Sequence, residues 1–280
     1  MNMQIVDYTA SNAAELFVTS LRETGFGVLE NHPIEQSLLE SIYTNWQTFF
    51  NGEEKFDYVF DKEKFDGYFP MDVSETAKGS KHRDIKEFYH VYLNGRVPQQ
   101  LREEIFEYYN KTSAFAAKLL SWIEEFSPKD VAQNYSQPLS EMIRDTDKTL
   151  LRVLHYPPVT GTEEVGAVRA AAHEDINLIT ILPAANQPGL QVKTKEGEWM
   201  DVPCNFGNLI INIGDMLQEA SSGYFPSTSH RVINPAGANS KESRISLPLF
   251  LHPRGDVVLS ERYTADTYLS ERLQELGMKK

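Results

Sequence analysis

His173-Glu174-Asp175, followed by His230 and then by Arg244-Ile245-Ser246, are the residues of this 280-residue chain whose types and order could do chemistry. Two imidazoles and one carboxylate can hold a non-haem Fe(II) on one face and leave the opposite positions for oxygen and a substrate. In an extended stretch His173 and Asp175 point the same way and Glu174 points away, so the pair can converge on one ion. The 54 residues between Asp175 and His230 read as short strands and turns, enough to return the chain with a third ligand. Fourteen residues beyond His230, Arg244 and Ser246 share one face of an expected strand over 243–250. A guanidinium fork beside a hydroxyl can clamp a carboxylate. Either pair alone is common on surfaces, whereas the ordered set supplies metal ligands, an open face and a cationic anchor to one mechanism. The same ligands could also hold Zn(II) and a nucleophilic water for hydrolysis, or bind a metal or small acid without turnover.

The elements that must position these residues differ between the two halves. From 149 to 258 the chain breaks into short β-branched or apolar runs, at 150–156, 176–182, 190–194, 209–213, 232–233 and 245–251, separated by Pro, Gly, Asn and Asp. Such spacing predicts an all-β sandwich or barrel. The first half predicts helices instead. One, capped by Ser11, runs to Glu23 with Leu16, Phe17 and Leu21 on one face and stops at Gly25. A second fits 35–50, with Leu38, Leu39, Ile42, Trp46 and Phe49 as its apolar stripe. A third fits 98–126, burying Ile105, Tyr109, Phe115, Leu119 and Trp122. The stripes read as core that braces the barrel. No linker separates residues 1–148 from 149–280, so one integrated domain is expected. Residues 62–83 mix charge with Gly and Pro and read as a surface segment beside the mouth.

Forty acidic against 27 basic residues give a net charge of -13, which repels nucleic acid and anionic membranes. No stretch is long and apolar enough to span a bilayer. The only cysteine, Cys204, reads as a small buried hydrophobe and suits a reducing compartment. A soluble cytoplasmic protein acting on a small molecule is expected, with nothing that sets an oligomeric state. His32, His82, His90 and His252 read as structural or solvated. His155 sits beside Tyr156 and points away if Tyr156 points in.

The motifs, taken in order, resemble the isopenicillin N synthase-like branch of the 2-oxoglutarate- and Fe(II)-dependent oxygenases over nearly the whole chain. The resemblance rests on Glu23-Thr24-Gly25-Phe26-Gly27-Val28 and the following Asn31-His32-Pro33-Ile34, on Phe49-Phe50-Asn51-Gly52-Glu53-Glu54-Lys55, and on Gly67-Tyr68-Phe69-Pro70 and Asp84-Ile85-Lys86-Glu87-Phe88. The second half adds His155-Tyr156-Pro157-Pro158, His173-Glu174-Asp175-Ile176-Asn177-Leu178-Ile179-Thr180, Asn212-Ile213-Gly214-Asp215 and Ser229-His230-Arg231-Val232.

The resemblance implies a mainly β fold with flanking α-helices, whose double-stranded β-helix or jelly-roll core carries the metal in its open mouth. It implies Fe(II) on His173, Asp175 and His230, 2-oxoglutarate with its far carboxylate on Arg244, Ser246 and Tyr156, and molecular oxygen. The implied reaction couples 2-oxoglutarate decarboxylation to hydroxylation or a related oxidation of a small organic substrate. Two positions depart from relatives. Isopenicillin N synthase has an Arg two residues before the Gly-Tyr pair, where this chain has Phe65 beside Lys64. Plant-type members have an Asn two residues before the cosubstrate Tyr, where this chain has Leu154. An alternative within the family is a cosubstrate-free oxidase whose substrate carboxylate occupies the Arg244/Ser246 clamp. Tyr68, Phe69, Phe88, Tyr89 and residues 219–225 are the expected contributors to selectivity.

Overall fold

The computed structural model describes residues 3–73, 83–161, 167–185, 188–203, 205–234 and 241–275. Its strands in chain order are β1 (Ile5–Asp7), β2 (Phe26–Glu30), β3 (Gly67–Phe69), β4 (Glu87–Val91), β5 (Leu150–Tyr156), β6 (Ala170–His173), β7 (Ile179–Pro183), β8 (Leu190–Lys193), β9 (Trp199–Asp201), β10 (Leu209–Ile213), β11 (His230–Val232), β12 (Arg244–Ser246) and β13 (Leu249–Leu251). The helices are α1 (Ala13–Thr24), α2 (Gln36–Asn51), α3 (Gln99–Glu125), the short α4 (Lys129–Ala132) and α5 (Leu139–Met142), α6 (Asp215–Ala220) and α7 (Ala265–Glu275). The larger sheet runs β1-β2-β10-β7-β13-β5-β4-β3, with β12 also on β5, and the smaller runs β6-β11-β8-β9. This is a jelly-roll core with flanking helices, and its larger sheet takes strands from both halves of the sequence.

Strand register sorts the larger sheet into two faces, because cross-strand partners point to the same side. One face carries Phe26, Asn212, Thr180 and Phe250, then Arg152, Leu154 and Tyr156 of β5, then Phe88 and Phe69, with Arg244 opposite Tyr156 and Ser246 opposite Leu154. The other face carries Ile211, Ile181, Leu249, Leu151, Val153 and Tyr89. These pack with Phe17 and Leu21 of α1, Leu39, Ile42 and Trp46 of α2, and Ile105, Phe115 and Leu119 of α3 in the main core. A second cluster joins Phe26, Val28 and Ile210 of the larger sheet to Ala170, Leu190, Val192 and Val232 of the smaller one. The inner face therefore looks into the space between the sheets, and the helices cover the outer face.

The long helix spans Gln99–Glu125, one residue inside the expected limits at each end, and all five residues of its expected stripe are buried. At α1 Asn12, not Ser11, precedes the first turn, and it makes no side-chain capping bond. Gly25 ends that helix in the left-handed conformation, φ 76°, as a residue without a Cβ can. The expected strand over 176–182 begins only at Ile179, because residues 175–178 form a loop. The expected strand over 243–250 is two strands, broken at Leu247-Pro248. Proline has no N–H to give to a ladder, and the Leu247 carbonyl accepts from Tyr108 of α3 instead, at 3.1 Å. In the segment expected at the surface, residues 62–65 are exposed but Asp66 to Phe69 are buried, and 74–82 lie outside the described residues. His82 and Cys204 also lie outside them. Among the described residues no helix is long and apolar enough to cross a membrane.

Candidate active site

β6 and β11 are antiparallel neighbours that set His173 directly opposite His230, with ring centroids 4.4 Å apart. Each imidazole is oriented through its Nδ1, which faces a backbone carbonyl two residues earlier, Ala171 at 2.8 Å and Thr228 at 3.2 Å. An Nδ1–H donated there leaves Nε2 as the lone-pair atom. Both Nε2 atoms lie 3.8 Å from Asp175 Oδ1. All three groups offer ligand atoms within 4.8 Å of one another, a set that could hold a metal ion.

Asp175 reaches this point by a route the extended reading missed. β6 stops at His173, and Asp175 begins the 175–178 loop. That loop is docked on the start of α6: Gly214 N–H donates to Leu178 O at 2.9 Å, Asp215 N–H to Asp175 O at 2.7 Å and Met216 N–H to Asn177 O at 3.1 Å. The first N–H groups of a helix need outside acceptors, and here the ligand loop supplies them. A Cβ on Gly214 would stand 2.1 Å from the Asn177 carbonyl oxygen, so only glycine permits this approach. The carboxylate itself is held by its other oxygen, Oδ2, which accepts the Thr180 hydroxyl at 2.5 Å and the Asn212 amide at 2.8 Å. Asn177 donates in turn to Thr180 Oγ1 at 2.9 Å. These bonds leave Oδ1 toward the histidines.

The electrostatics suit a metal. Burial and then the neighbouring His230 push the His173 imidazole down to about 4 against the pull of Asp175, so it is neutral and able to coordinate near pH 7. Burial opposes the charge on Asp175, but His230, His173, Asn212 and Thr180 together hold its carboxyl below the usual range. Glu174 is exposed, away from the cluster.

On the larger sheet, Arg244 and Tyr156 are cross-strand partners, the guanidinium carbon 5.6 Å from the ring centroid. Both are buried, as is Ser246. The Nε and Nη1 atoms of Arg244 are buried donors outside any hydrogen bond, while the side chain has other contacts. A buried guanidinium fork on the inner face fits a carboxylate. Leu154 lies in an apolar cluster with Phe69, Phe88 and Tyr156, so it offers no polar grip. Phe65 sits in an exposed turn at φ 55° with Lys64 exposed beside it.

Strand alternation divides the expected selectivity residues. Phe69 and Phe88 face the space between the sheets, with rings stacked at 4.7 Å, and the Arg152 guanidinium lies 4.7 Å from the Phe88 ring. Tyr68 and Tyr89 face the helices and belong to the main core, as does Phe225. His155 likewise turns to the helix side, stacked on Phe50 at 5.2 Å.

Sequence reasoning missed Arg169, which is fully buried four residues before His173. Its Nη2 donates to Glu242 O at 3.1 Å and its guanidinium carbon lies 5.7 Å from the Tyr156 ring centroid. It thus brings the segment leading into β6 beside Tyr156. The Asp84–Lys86 pair was also missed: Asp84 Oδ1 accepts the Ala171 N–H at 2.9 Å and Oδ2 accepts from Lys86 Nζ at 2.9 Å. Only its place in Asp84-Ile85-Lys86-Glu87-Phe88 hinted at a role.

Residues 147–253 match the profile of the 2OG-Fe(II) oxygenase superfamily, and residues 4–113 match the N-terminal profile described as non-haem dioxygenase in morphine synthesis. The chain is 62% identical to a candidate oxygenase of Shewanella oneidensis whose crystal structure is known, with 99% of each chain covered and a TM-score of 0.91. A candidate 2OG-Fe(II) oxygenase family protein of Caulobacter crescentus is 29% identical, with 98% of this chain and 99% of that one covered and a TM-score of 0.82. Gibberellin 2-beta-dioxygenase 3 of Arabidopsis thaliana is 26% identical over 263 residues, 89% of this chain and 75% of that protein.

Proposed function

The chain belongs to the 2OG-Fe(II) oxygenase superfamily and is an oxidoreductase using Fe(II), 2-oxoglutarate and molecular oxygen, and on that premise we propose how its residues divide the work. His173 Nε2, Asp175 Oδ1 and His230 Nε2 hold Fe(II). Arg244, Ser246 and Tyr156 hold the far carboxylate of 2-oxoglutarate. Bound together, the metal and cosubstrate supply oxidising power through decarboxylation to succinate, coupled to hydroxylation or a related oxidation.

The protein's own contribution is orientation and protection. Thr180 and Asn212 fix the Asp175 carboxylate, the Ala171 and Thr228 carbonyls fix the two imidazoles, and the buried clamp sets the direction in which the cosubstrate reaches the metal. A small organic substrate lies against the Phe69, Phe88 and Arg152 side of the inner face, which offers an apolar wall with one cation. The net charge of -13 supports a small molecule over nucleic acid, and a lone cysteine supports a cytoplasmic setting.

One observation carries the reading: two Nε2 atoms and one carboxylate oxygen face each other while the other polar atoms of those groups are engaged elsewhere. The test is anaerobic reconstitution with Fe(II) and 2-oxoglutarate, a search for the visible charge-transfer band of the chelate, then oxygen exposure and a succinate assay. The band and succinate are expected. Arg244→Ala retains iron and weakens 2-oxoglutarate by about 2–5 kcal/mol, the cost of truncating one partner of a buried charge pair. Iron binding with neither band nor succinate would move the reading to a cosubstrate-free oxidase.

A further inference from the structure

Three imidazoles of this chain are tethered in the same way. In His173 and His230 the Nδ1 faces the backbone carbonyl two residues earlier, which leaves Nε2 as the lone-pair atom. His252, read from the sequence as structural or solvated, repeats the arrangement, with its Nδ1 facing the Phe250 carbonyl at 3.3 Å. A carbonyl oxygen can only accept, so Nδ1 carries the proton and Nε2 the lone pair. His252 is outside the set formed by His173, Asp175 and His230, and among the described residues its Nε2 has no hydrogen-bond partner. The side chain is nonetheless half-buried and reachable.

The strand before it sets where that free edge lies. Register puts Phe250 of β13 opposite Thr180 of β7 on the inner face, and the Thr180 hydroxyl donates to Asp175 Oδ2 at 2.5 Å. Phe250 is therefore one side chain removed from the ligand carboxylate. It is half-buried, whereas its cross-strand neighbours Thr180 and Leu150 are buried. Alternation sends Leu251 into the core on the helix side and returns His252 to the side of Phe250. Burial pushes the His252 imidazole down to about 4, while the charge of Asp175 pulls against it. An imidazole that feels both burial and the ligand carboxylate, yet keeps a reachable edge, lies inside the mouth of the metal site.

We propose that His252 is a specificity-determining residue of the oxygenase site, whose Nε2 accepts a hydrogen bond from an O–H or N–H group of a substrate with its ring or apolar body against Phe250. The inference deepens the small-substrate reading above and rests on His173, Asp175 and His230 holding the metal. A neutral imidazole offers a lone pair and no charge, so it selects a hydroxyl or a ring N–H rather than an acid. A wholly apolar compound would cover that lone pair without replacing its water. A site built to pair a polar group rejects the analogue that lacks it more strongly than an apolar pocket rejects an extra methyl. The same bond also orients the ring and so decides which of its edges faces the metal.

The experiment is a set of anaerobic calorimetric titrations of the Fe(II)-loaded full chain, with and without 2-oxoglutarate, using 2-naphthol against 2-methoxynaphthalene and indole against 1-methylindole. Within each pair the ring is the same and a methyl group replaces the donor hydrogen. Wild type binds the donor member about 10-fold more tightly, the scale of one hydrogen-bonding group paired against the same group left unpaired. His252→Leu brings the donor member to the level of its methylated partner and leaves the iron content unchanged. His252→Phe, which keeps a ring without the lone pair, does the same and serves alone if the leucine variant does not fold. His252→Gln, whose amide oxygen also accepts, keeps part of the preference, and Phe250→Leu weakens both members alike. A preference that survives in His252→Leu and His252→Phe would overturn the assignment. So would a wild type that binds both members equally or neither, and so would loss of iron from the His252 variants, which would place the residue in support of the fold or the metal. A wild type without the chelate band but with the donor preference intact would remove the cosubstrate reading and leave this inference standing.

Discussion

His155 and Tyr156 are consecutive residues of β5, 4% and 3% exposed, and they face opposite sides of one sheet. On the helix side His155 belongs to a closed polar chain. Its Nδ1 faces Glu87 Oε1 at 2.7 Å, its Nε2 faces Gln47 Nε2 at 3.0 Å, and Gln47 Oε1 accepts from Ser243 Oγ at 2.6 Å. Glu87 also accepts from the Tyr68 hydroxyl and from Lys55 Nζ, the latter at 3.1 Å. Each member finds its partner within the protein. On the inner side, the guanidinium carbons of Arg169 and Arg244 lie within 5.7 Å of the Tyr156 ring centre, and two imidazoles and a carboxylate converge on one another. Burial alone does not mark a functional site. The distinction is whether buried polar groups complete one another or converge on a volume that something else must fill.

The sharpest way to break this contrast is to remove a converging group. His173→Ala, Asp175→Ala and His230→Ala should each abolish oxygen consumption and iron retention while the fold persists, as far-ultraviolet circular dichroism can show. A variant that kept full turnover would take that residue out of the ligand set. The supports behind the carboxylate come next in size. Asn212→Ala or Thr180→Val should lower metal affinity by about 10–100-fold, the usual cost of losing an outer partner of a ligand, measured by competition with a chelator. An unchanged affinity in both would mean that the docked 175–178 loop alone orients Asp175.

The helix side should respond in the opposite sense. His155→Leu strands Glu87 and Gln47 without their shared partner and should cost about 1–3 kcal/mol of folding stability, read from denaturant melts, with the metal and 2-oxoglutarate affinities of the folded protein unchanged. If affinity fell along with stability, the two faces of β5 would be coupled through Ser243 and its neighbour Arg244.

The same two faces explain what the sequence disclosed and what it withheld. Spacing singled out His173 and Asp175, and Arg244 and Ser246, as pairs two residues apart; Arg244 and Ser246 do share one face of β12, whereas Asp175 lies beyond the end of β6 and meets the histidines from a loop. The α3 limits and its buried stripe were legible because helical stripes recur every three or four residues. Adjacent aromatic pairs were not: Tyr68-Phe69 and Phe88-Tyr89 look alike in sequence, and only the register against β5 sends Phe69 and Phe88 inward. Arg169, before three alanines, carries no signal in the sequence, because the groups it meets, the Glu242 carbonyl and the Tyr156 ring, come from distant segments. The placement of Asp175 depends on Asn212 and α6, some forty residues away, contacts that no local pattern encodes.

The smallest effect, and the one that reads the closed network most directly, is acid sensitivity at Glu87. Burial, the largest influence, disfavours its charge, but hydrogen bonds with His155 and Tyr68 and the charge of Lys55 outweigh it and hold the carboxyl below the usual range. A folded-state value below the unfolded one contributes stability at pH above the unfolded value, about 4.3 for a glutamate, and that contribution disappears as pH falls through the folded value. The thermal midpoint of metal-free wild type should therefore drop more steeply than that of Glu87→Gln as the buffer is taken from about pH 6 to about pH 3, across the carboxylate range. Because both proteins keep Asp175 and the other carboxylates, the difference between the curves isolates position 87. Curves that stay parallel, or separate further on acidification, would show that Glu87 draws no net stabilisation from its partners, and the helix-side network would then be a satisfied but idle neighbour of the site.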